Sequence, residues 1–368
     1  MNGTNISAER LREFAAHIFQ AAGVESDDAR RAADVLIWTS LRGVDTHGIR
    51  NLKRYYIQGI DDGTIDPVAQ LQVERESGGT ATLNSNAGLG LCHAVQAMRR
   101  AIDKADSGGV GVVTVRNANH FGAAGYYAHM AVESGMIGFA ATGYFFPHGQ
   151  RTAVVPFGGL LPMLSTNPLA MACPCSEMPP FVLDMSTSIS AFNRIELWNE
   201  LGRTIPTGWA LDEEHQPTTD PSNVHKLVSL GGLDRMGGHK GFGLALAVQI
   251  LTGLLSGAWR EDPKPDRILG DRAEAKDGFG QEGIGHIFAA VRIDQFGPPD
   301  QFRRGVDAMI KTLNESPPRN GVDRVYVPGQ LEHEAERKRS RAGIPIHEST
   351  LTDLRELSAR FGVALDVP

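Results

Sequence analysis

Cysteine is scarce in this 368-residue chain, aromatics make up 7% of it and positive charge is not in excess. Each scarcity removes a class of function. Three cysteines, Cys92, Cys173 and Cys175, cannot form a complete disulfide framework, so a reducing, cytoplasmic setting is expected. Cys173-Pro174-Cys175 lacks the two-residue gap of a thioredoxin-like or zinc-binding motif and is read as ordinary packing, with no metal. A formal net charge of −7 supplies no general basic field for nucleic acid or an anionic membrane surface. The first residues carry neither a basic nor an apolar leader pattern, and a secretory signal is not expected.

Long apolar runs are also missing, with one near exception. Gly241–Trp259 has no charge and approaches the roughly 20 residues of a membrane span. Gln249, Thr252, Ser256 and four glycines dilute it, and a buried helix is the expectation. Absent too are Gly-x-Gly-x-x-Gly opening a helix after a strand, Gly-x-x-x-x-Gly-Lys-Ser/Thr, His-Glu-x-x-His and Gly-x-Ser-x-Gly. Their absence weakens Rossmann, triphosphatase, zincin and α/β-hydrolase readings.

What is present is an alternation of helical and strand-like segments of ordinary globular composition, 41% hydrophobic and 21% charged. Leu11, Phe14, Ala15 and Ile18 recur at helical spacing until Gly23, and a second helix is expected with Ser26 as its N-cap. Leu71–Leu83 reads as strand, Gly90 to Ala105 as helix and Val110–Val115 as strand. Tyr126–Glu133 reads as helix, and Met136–Thr142 and Phe181–Asp184 as strands. Arg151–Pro180 is rich in Pro and Gly and reads as turns, and residues 260–281 as a charged surface loop or flap. Ile284–Ile293 returns to strand character, and Phe302–Leu313 and Thr350–Phe361 are amphipathic helices. Glu332–Arg341 reads as a solvated face of mixed charge.

Four polar stretches have the make-up of a site. Thr46-His47-Gly48 is followed within nine positions by Arg50, Asn51, Lys53, Arg54, Tyr55 and Tyr56, an inventory able to bind an oxyanion and move a proton. Asn117–Tyr127 joins a strand to a helix through His120, Phe121, Gly122, Ala123 and Ala124. Asp184-Met185-Ser186-Thr187-Ser188 ends a strand in a carboxylate and a run of hydroxyls, and Lys240 and Gly241 stand at a glycine-rich helix start. Such scattered glycine and hydroxyl turns suit a large anionic cofactor held by loops better than a metal cage. Taken singly, each has a plainer reading as a turn, a solvated loop or a helix leader.

Together with Ser165–Pro168, Gly238–Leu244 and Pro328-Gly329, these segments occur in an order and spacing that resembles the type-2 malate/L-lactate dehydrogenase family, over nearly the whole chain. That family also includes ureidoglycolate, sulfolactate and diketogulonate enzymes and a cyclic-imine reductase. The resemblance implies a mixed α/β, non-Rossmann NAD(P)-binding fold with helical terminal segments. It divides the chain into 1–75 with 305–368 as a helical terminal domain, 76–120 with 240–304 as a cofactor-associated α/β domain, and 121–239 as a central α/β domain. It implies a homodimer that uses NAD or NADP to move a hydride to or from a small 2-oxo or 2-hydroxy acid. His47 would be the proton donor and acceptor, with Thr46 and Asp184 as relay partners. His120 matches a histidine that serves as base in some members and belongs to the cofactor loop in others. His120–Ala124, Asp184–Ser188, Lys240, Gly241 and Pro328-Gly329 match dinucleotide contacts.

Three positions depart from the family pattern. Asn51 stands where relatives commonly carry an arginine for the substrate carboxylate, so Arg50, Asn51 and, from another segment, Tyr144 are the candidate substrate contacts. Thr142-Gly143-Tyr144 replaces a Thr-Asn-Ser run, and Gln330 follows Pro-Gly where glutamate is usual. An altered substrate preference is expected. Alternatives are a reductase of a cyclic imine carboxylate, a non-catalytic dinucleotide-binding homologue, and a metal-dependent hydrolase built on His47, His120 and Asp184. Arg194 is read as a helix-surface charge or as a contact for a 2′-phosphate.

Overall fold

A computed structural model describes residues 3–144, 154–233, 236–259 and 283–365. Seven strands form one mixed sheet in the order β2-β3-β4-β10-β5-β6-β7. They are β2 Gln72–Glu76, β3 Thr80–Asn84, β4 Val110–Arg116, β5 Ile137–Gly143, β6 Leu169–Cys173, β7 Phe181–Met185 and β10 Gly285–Val291. Only β3 and β4 run parallel, and every other neighbouring pair is antiparallel. β1 Gly3–Ile6 pairs with β11 Ile344–His347, and the short β8 Ala210–Leu211 pairs with β9 Lys226–Leu227.

The sequence reading of helices α1 Ala8–Ala21, α2 Ser26–Leu41, α4 Gly90–Gly108 and α5 Ala124–Glu133 agrees with the structure to within a few residues. Helical spacing places Leu11, Phe14, Ala15 and Ile18 of α1 in the main core. At α2 the expected cap is off by one. Glu25 is the N-cap, its carboxylate accepting from the amides of Asp27 (2.9 Å) and Asp28, and Ser26 is the first helical residue. Strand β6 was not expected, because its five residues lie inside the Pro- and Gly-rich stretch and are short for a period-two pattern.

Alternation along β10 separates two layers. Phe288 points into the main core, beside α4 and α5, while Ile287 joins Ala141 and Val248 on the other side. Val248 belongs to α7 Gly238–Gln249, which continues into a π-helical turn, Ile250–Leu254. This segment is only in part the buried helix that its sequence predicts: Gly241, Ala245 and Val248 are buried. Leu244, Leu246, Ile250, Leu251, Leu254 and Leu255 are between 37% and 58% exposed. Among the described residues no helix is long and apolar enough to cross a membrane. The helix Gln330–Ala342 has no buried residue, as its mixed charge predicts. The expected flap at 260–281 lies outside the described residues.

Candidate active site

A cavity of about 420 Å³ opens where the loop after α2, the start of α5, the end of β7, the start of helix α6 (Phe192–Glu200) and Pro328-Gly329 meet. Thr46, His47, Gly122, Ala123, Ala124, Asp184, Met185, Ser186, Ser188, Pro328 and Gly329 all line it. Its volume is in the usual range for a small-molecule or cofactor site. Segments up to 282 residues apart in sequence thus share one wall, since Thr46 and Pro328 both face it.

The loop that carries His47 is fastened on several sides. Arg339 forms an ion pair with Asp45. The carbonyl of Thr46 accepts from the side-chain amides of Asn193 (2.8 Å) and Asn51 (3.1 Å). A side chain at Gly48 would strike Ser40, whose Oγ accepts from the amide of Ile49 at 2.9 Å. Beside the ring, Thr46 Oγ1 lies 2.9 Å from His47 Nδ1, while Nε2 has no partner among the described residues. Burial, with the positive charge of Arg194 as the smaller cause, lowers the His47 pKa to about 4, so the imidazole is neutral near pH 7.

The second histidine is built from the β4–α5 connection. Asn117 and Gly122 adopt positive φ, which turns the chain sharply after the strand and returns it into α5. His120 comes to rest with its ring centroid 5.7 Å from that of His47, the planes 19° apart. Tyr55 stacks on it at 5.0 Å, and Tyr56 Oη lies 2.8 Å from its Nδ1. Burial, then the neighbouring His47 and His286, lowers the His120 pKa to about 3. Phe121 does not face the cavity; it is a core residue stacked on His286 at 4.7 Å, and it holds the loop from beneath.

Asp184 caps a helix that has no cap of its own. α5 begins after Ala123, which offers no side-chain acceptor, and the Asp184 carboxylate from β7 accepts from the amide of Gly125 at 2.8 Å. A Cβ at Gly125 would come within 2.8 Å of that carboxylate, so the close approach requires glycine. The exposed surface of Asp184 faces the cavity with protein around it, and burial raises its pKa to about 6 despite the Gly125 bond. Its hydrogen bond goes to Gly125 and not to His47. Thr187 is buried and donates to the carbonyls of Thr166 and Asn167, which ties the hydroxyl run to the Ser165–Pro168 turn.

Eight predicted residues are not on the cavity wall: Phe121, Thr187, His120, which stacks on the wall residue His47, and five others. Arg50 is 5% exposed and spends its guanidinium on Glu200, with contacts of 2.8 and 2.7 Å. Asn51 is 1% exposed and supports the Thr46 carbonyl; its Oδ1 has no partner among the described residues. Tyr144 lies past the end of β5, its amide donating to Asn167 Oδ1 at 3.2 Å. Lys240 is exposed in the first turn of α7, and Gly241 is a packing glycine whose Cβ would meet the Leu230 carbonyl at 2.1 Å. Conversely, Arg194 in the first turn of α6 is a wall residue that the sequence left as a helix-surface charge or a phosphate contact. Arg42 also lines the wall, paired with Glu336 at 2.9 Å.

The hydrolase alternative finds no metal cage here. Among the described residues, the group of three potential ligand atoms within 4.8 Å of one another is Asp28, Cys92 and His93, away from His47, His120 and Asp184. Both nitrogens of His93 are already engaged, by Ser85 and the Ala69 carbonyl.

A family model described as malate/L-lactate dehydrogenase matches residues 6–355. The chain belongs to that family. It is 36% identical over 367 residues to a malate dehydrogenase of Pyrococcus horikoshii, covering 98% of this chain and 97% of that one. An L-sulfolactate dehydrogenase of Methanocaldococcus jannaschii is 32% identical, with 98% of each chain covered. The crystal structure of a malate dehydrogenase from Entamoeba histolytica superposes with a TM-score of 0.88 at 33% identity, covering 99% of both chains. As a member of the malate/L-lactate dehydrogenase family, the chain is a nicotinamide-dependent oxidoreductase acting on a small hydroxy acid. Its mixed seven-stranded sheet is the family's α/β fold.

Buried neutral histidines make this site sensitive to acid. His47, His120 and His286 have pKa values lowered to about 4, 3 and 4, against about 6.5 for a free side chain. As pH falls from 6.5 towards 4 the unfolded chain takes up protons there that the folded chain refuses, and stability is lost. Asp184 has the opposite sign: raised to about 6, it holds a proton in the folded state between pH 6 and its unfolded value, and so stabilises as pH falls. Three groups against one leave a net loss. The urea midpoint is therefore expected to be lower at pH 5 than at pH 7.5, and an equal or higher midpoint at pH 5 would contradict this.

Proposed function

We propose that His47 exchanges the proton at the substrate oxygen of a 2-oxo or 2-hydroxy acid, with Thr46 Oγ1 orienting its ring. The observation that carries this reading is that His47 and Arg194 share one wall with Asp184, Met185, Ser186, Ser188 and Gly122–Ala124. A bound NAD or NADP would supply the hydride. The cavity suits such a group: Ser186, Ser188 and Ser190 line it with hydroxyls, Gly122–Ala124 bring backbone to its edge, and Gly329 approaches Val182 so closely that a Cβ would lie 2.9 Å from its amide. A neutral imidazole is the base needed to oxidise a hydroxy acid. In reduction, a substrate carboxylate arriving beside the ring favours the imidazolium that must donate.

With Arg50 occupied by Glu200, the carboxylate falls to Arg194, which has no ion-pair partner among the described residues and is close enough to bias His47. Arg194→Ala is expected to raise KM for the acid about 10- to 100-fold, in line with the loss of a charge-assisted bond, and to leave dinucleotide affinity within about threefold. An unchanged KM would exclude this assignment. Since the arginine is displaced from the His47 loop, a substrate other than plain malate or lactate is expected to give the highest kcat/KM.

For the cofactor, a groove of about 490 Å³ adjoins the cavity through Arg42 and is lined also by His129, His333, Arg337 and Arg341, with Glu336 as its acid. That field favours NADP over NAD. The exposed apolar face of α7 and the turn after it supports a homodimer, and three free thiols suit the cytoplasm. The deciding experiment is a panel of 2-oxo acids and cyclic imine carboxylates with NADPH and NADH, followed by absorbance with and without chelator. Cofactor oxidation by a 2-oxo acid, unaffected by chelator and faster with NADPH, is expected. Dinucleotide binding without turnover would favour the non-catalytic reading, and loss of activity with chelator a metal-dependent one.

A further inference from the structure

The surroundings of His120 fix where its proton sits. Two groups meet its Nδ1: the backbone amide of Gly122, at 3.3 Å, and Tyr56 Oη, at 2.8 Å. A backbone N–H can only donate, so Nδ1 is bare. The Tyr56 hydroxyl at the same atom must then donate as well, and a neutral ring carries its hydrogen on Nε2. Nε2 has no partner among the described residues. Its ring stacks with two neighbours whose planes lie within 30° of its own, Tyr55 and His47.

Tyr56 itself is placed firmly. Fully buried, it meets Phe19 edge-on at 6.2 Å, and its hydroxyl lies 3.8 Å from where a Cβ on Gly122 would stand. It belongs to the π-helical turn Leu52–Ile57, whose wider coil draws consecutive side chains closer together than an α-helix does. That geometry lets Tyr55 stack on His120 while Tyr56 bonds to its edge.

We propose that Tyr56 is a positioning residue that locks His120 in its Nε2–H tautomer, so that His120 donates a hydrogen bond to the substrate oxygen while His47 alone exchanges the proton. The proposal rests on the dehydrogenase reading for the identity of that oxygen; the tautomer does not. Two histidines of like role side by side would compete for one proton, whereas a fixed N–H donor beside an exchanging imidazole divides the work. Without the hydroxyl, Nδ1 keeps only the longer Gly122 bond. The ring then samples the other tautomer, which would turn a bare Nε2 and its lone pair towards the developing alkoxide.

The test uses Tyr56→Phe, which keeps the ring and its packing. Nitrogen-15 NMR of the imidazole signals, assigned with a His120→Gln variant, is expected to show the Nε2–H pattern in the wild type and tautomer averaging in Tyr56→Phe. With NADPH and the best acid of the panel, kcat is expected to fall about 10- to 100-fold, part of what removing an oxyanion donor costs, with KM for NADPH unchanged. A glutamine can donate but cannot act as a base, so His120→Gln should retain at least 10-fold more kcat than His120→Leu. A wild-type Nδ1–H pattern overturns the proposal even if Tyr56→Phe fails to fold or no acid is reduced. Full kcat with an unchanged His120 signal in Tyr56→Phe also overturns it, since a tyrosine that only packs would give that result. Correct tautomers without turnover of any acid would instead count against the dehydrogenase reading.

Discussion

Replacement of His47 by asparagine is expected to lower kcat by about 10²- to 10⁴-fold, the usual contribution of a general acid–base group. Asparagine keeps a polar side chain of similar reach beside Thr46, so the fastened loop and the cavity wall stay in place. Binding of the reduced cofactor, followed by fluorescence, should therefore change little. The pH dependence should change more. His47 is neutral across the ordinary range because burial lowers its pKa to about 4, and an enzyme relying on it as base should lose activity with falling pH in the hydroxy-acid oxidation direction. That limb should disappear in His47→Asn. Near-wild-type kcat with an unchanged pH profile would place the proton chemistry elsewhere.

The second large effect is expected on stability, at Arg50. This arginine follows the His47 motif closely enough in sequence to resemble a substrate clamp, yet both contacts of its fork go to Glu200. Glu200 also accepts from Arg54 at 3.1 Å and Ser349 at 3.0 Å, and the Arg50 hydrogen bonds are the largest cause holding its pKa down at about 2. Arg50 is the buried member of the pair, and its removal leaves the partly exposed Glu200 carboxylate with only Arg54 and Ser349 among the described residues. Arg50→Ala should cost about 3 kcal/mol, at the low end for such pairs because the Glu200 side chain is 26% exposed. Urea unfolding reads this directly. Were Arg50 the carboxylate holder instead, the variant would show a raised KM for the acid with stability changed by less than about 1 kcal/mol, the scale of a surface pair.

Much of the chain announces its local structure. Periodicity located α1, α4, α5, β4 and β5 because their apolar spacing is regular and their ends are marked by glycine or a polar cluster. Strand order was beyond reach, since β10 joins β4 from about 170 residues further along and β5 from about 140, and nothing local specifies that pairing. In the site, the motif residues His47, Gly122, Asp184 and Pro328 are individually visible, and the structure brings them to one cavity. Their partners are not visible. Glu200 lies 150 residues from Arg50 and Tyr56 lies 64 from His120, so the functions of these pairs are set by tertiary contact. Arg194 stays undecided between a helix-surface charge and a phosphate contact in the sequence, because an arginine in a first helical turn has no local feature that separates a cavity wall from solvent.

The position of β10 also has a bearing on how the molecule comes into being. Until residues 285–291 have left the ribosome, β4 and β5 have no common neighbour, and the sheet exists as two unjoined edges. The β4–α5 loop waits on the same event, since the amide of Ala118 donates to the Ile284 carbonyl and Phe121 stacks on His286. Assembly therefore depends on contacts of long sequence separation, which makes folding slow and leaves apolar edges open to aggregation meanwhile. A nascent chain halted before Gly285 would already carry His47, His120 and Asp184, but with no completed sheet on which to bring them together.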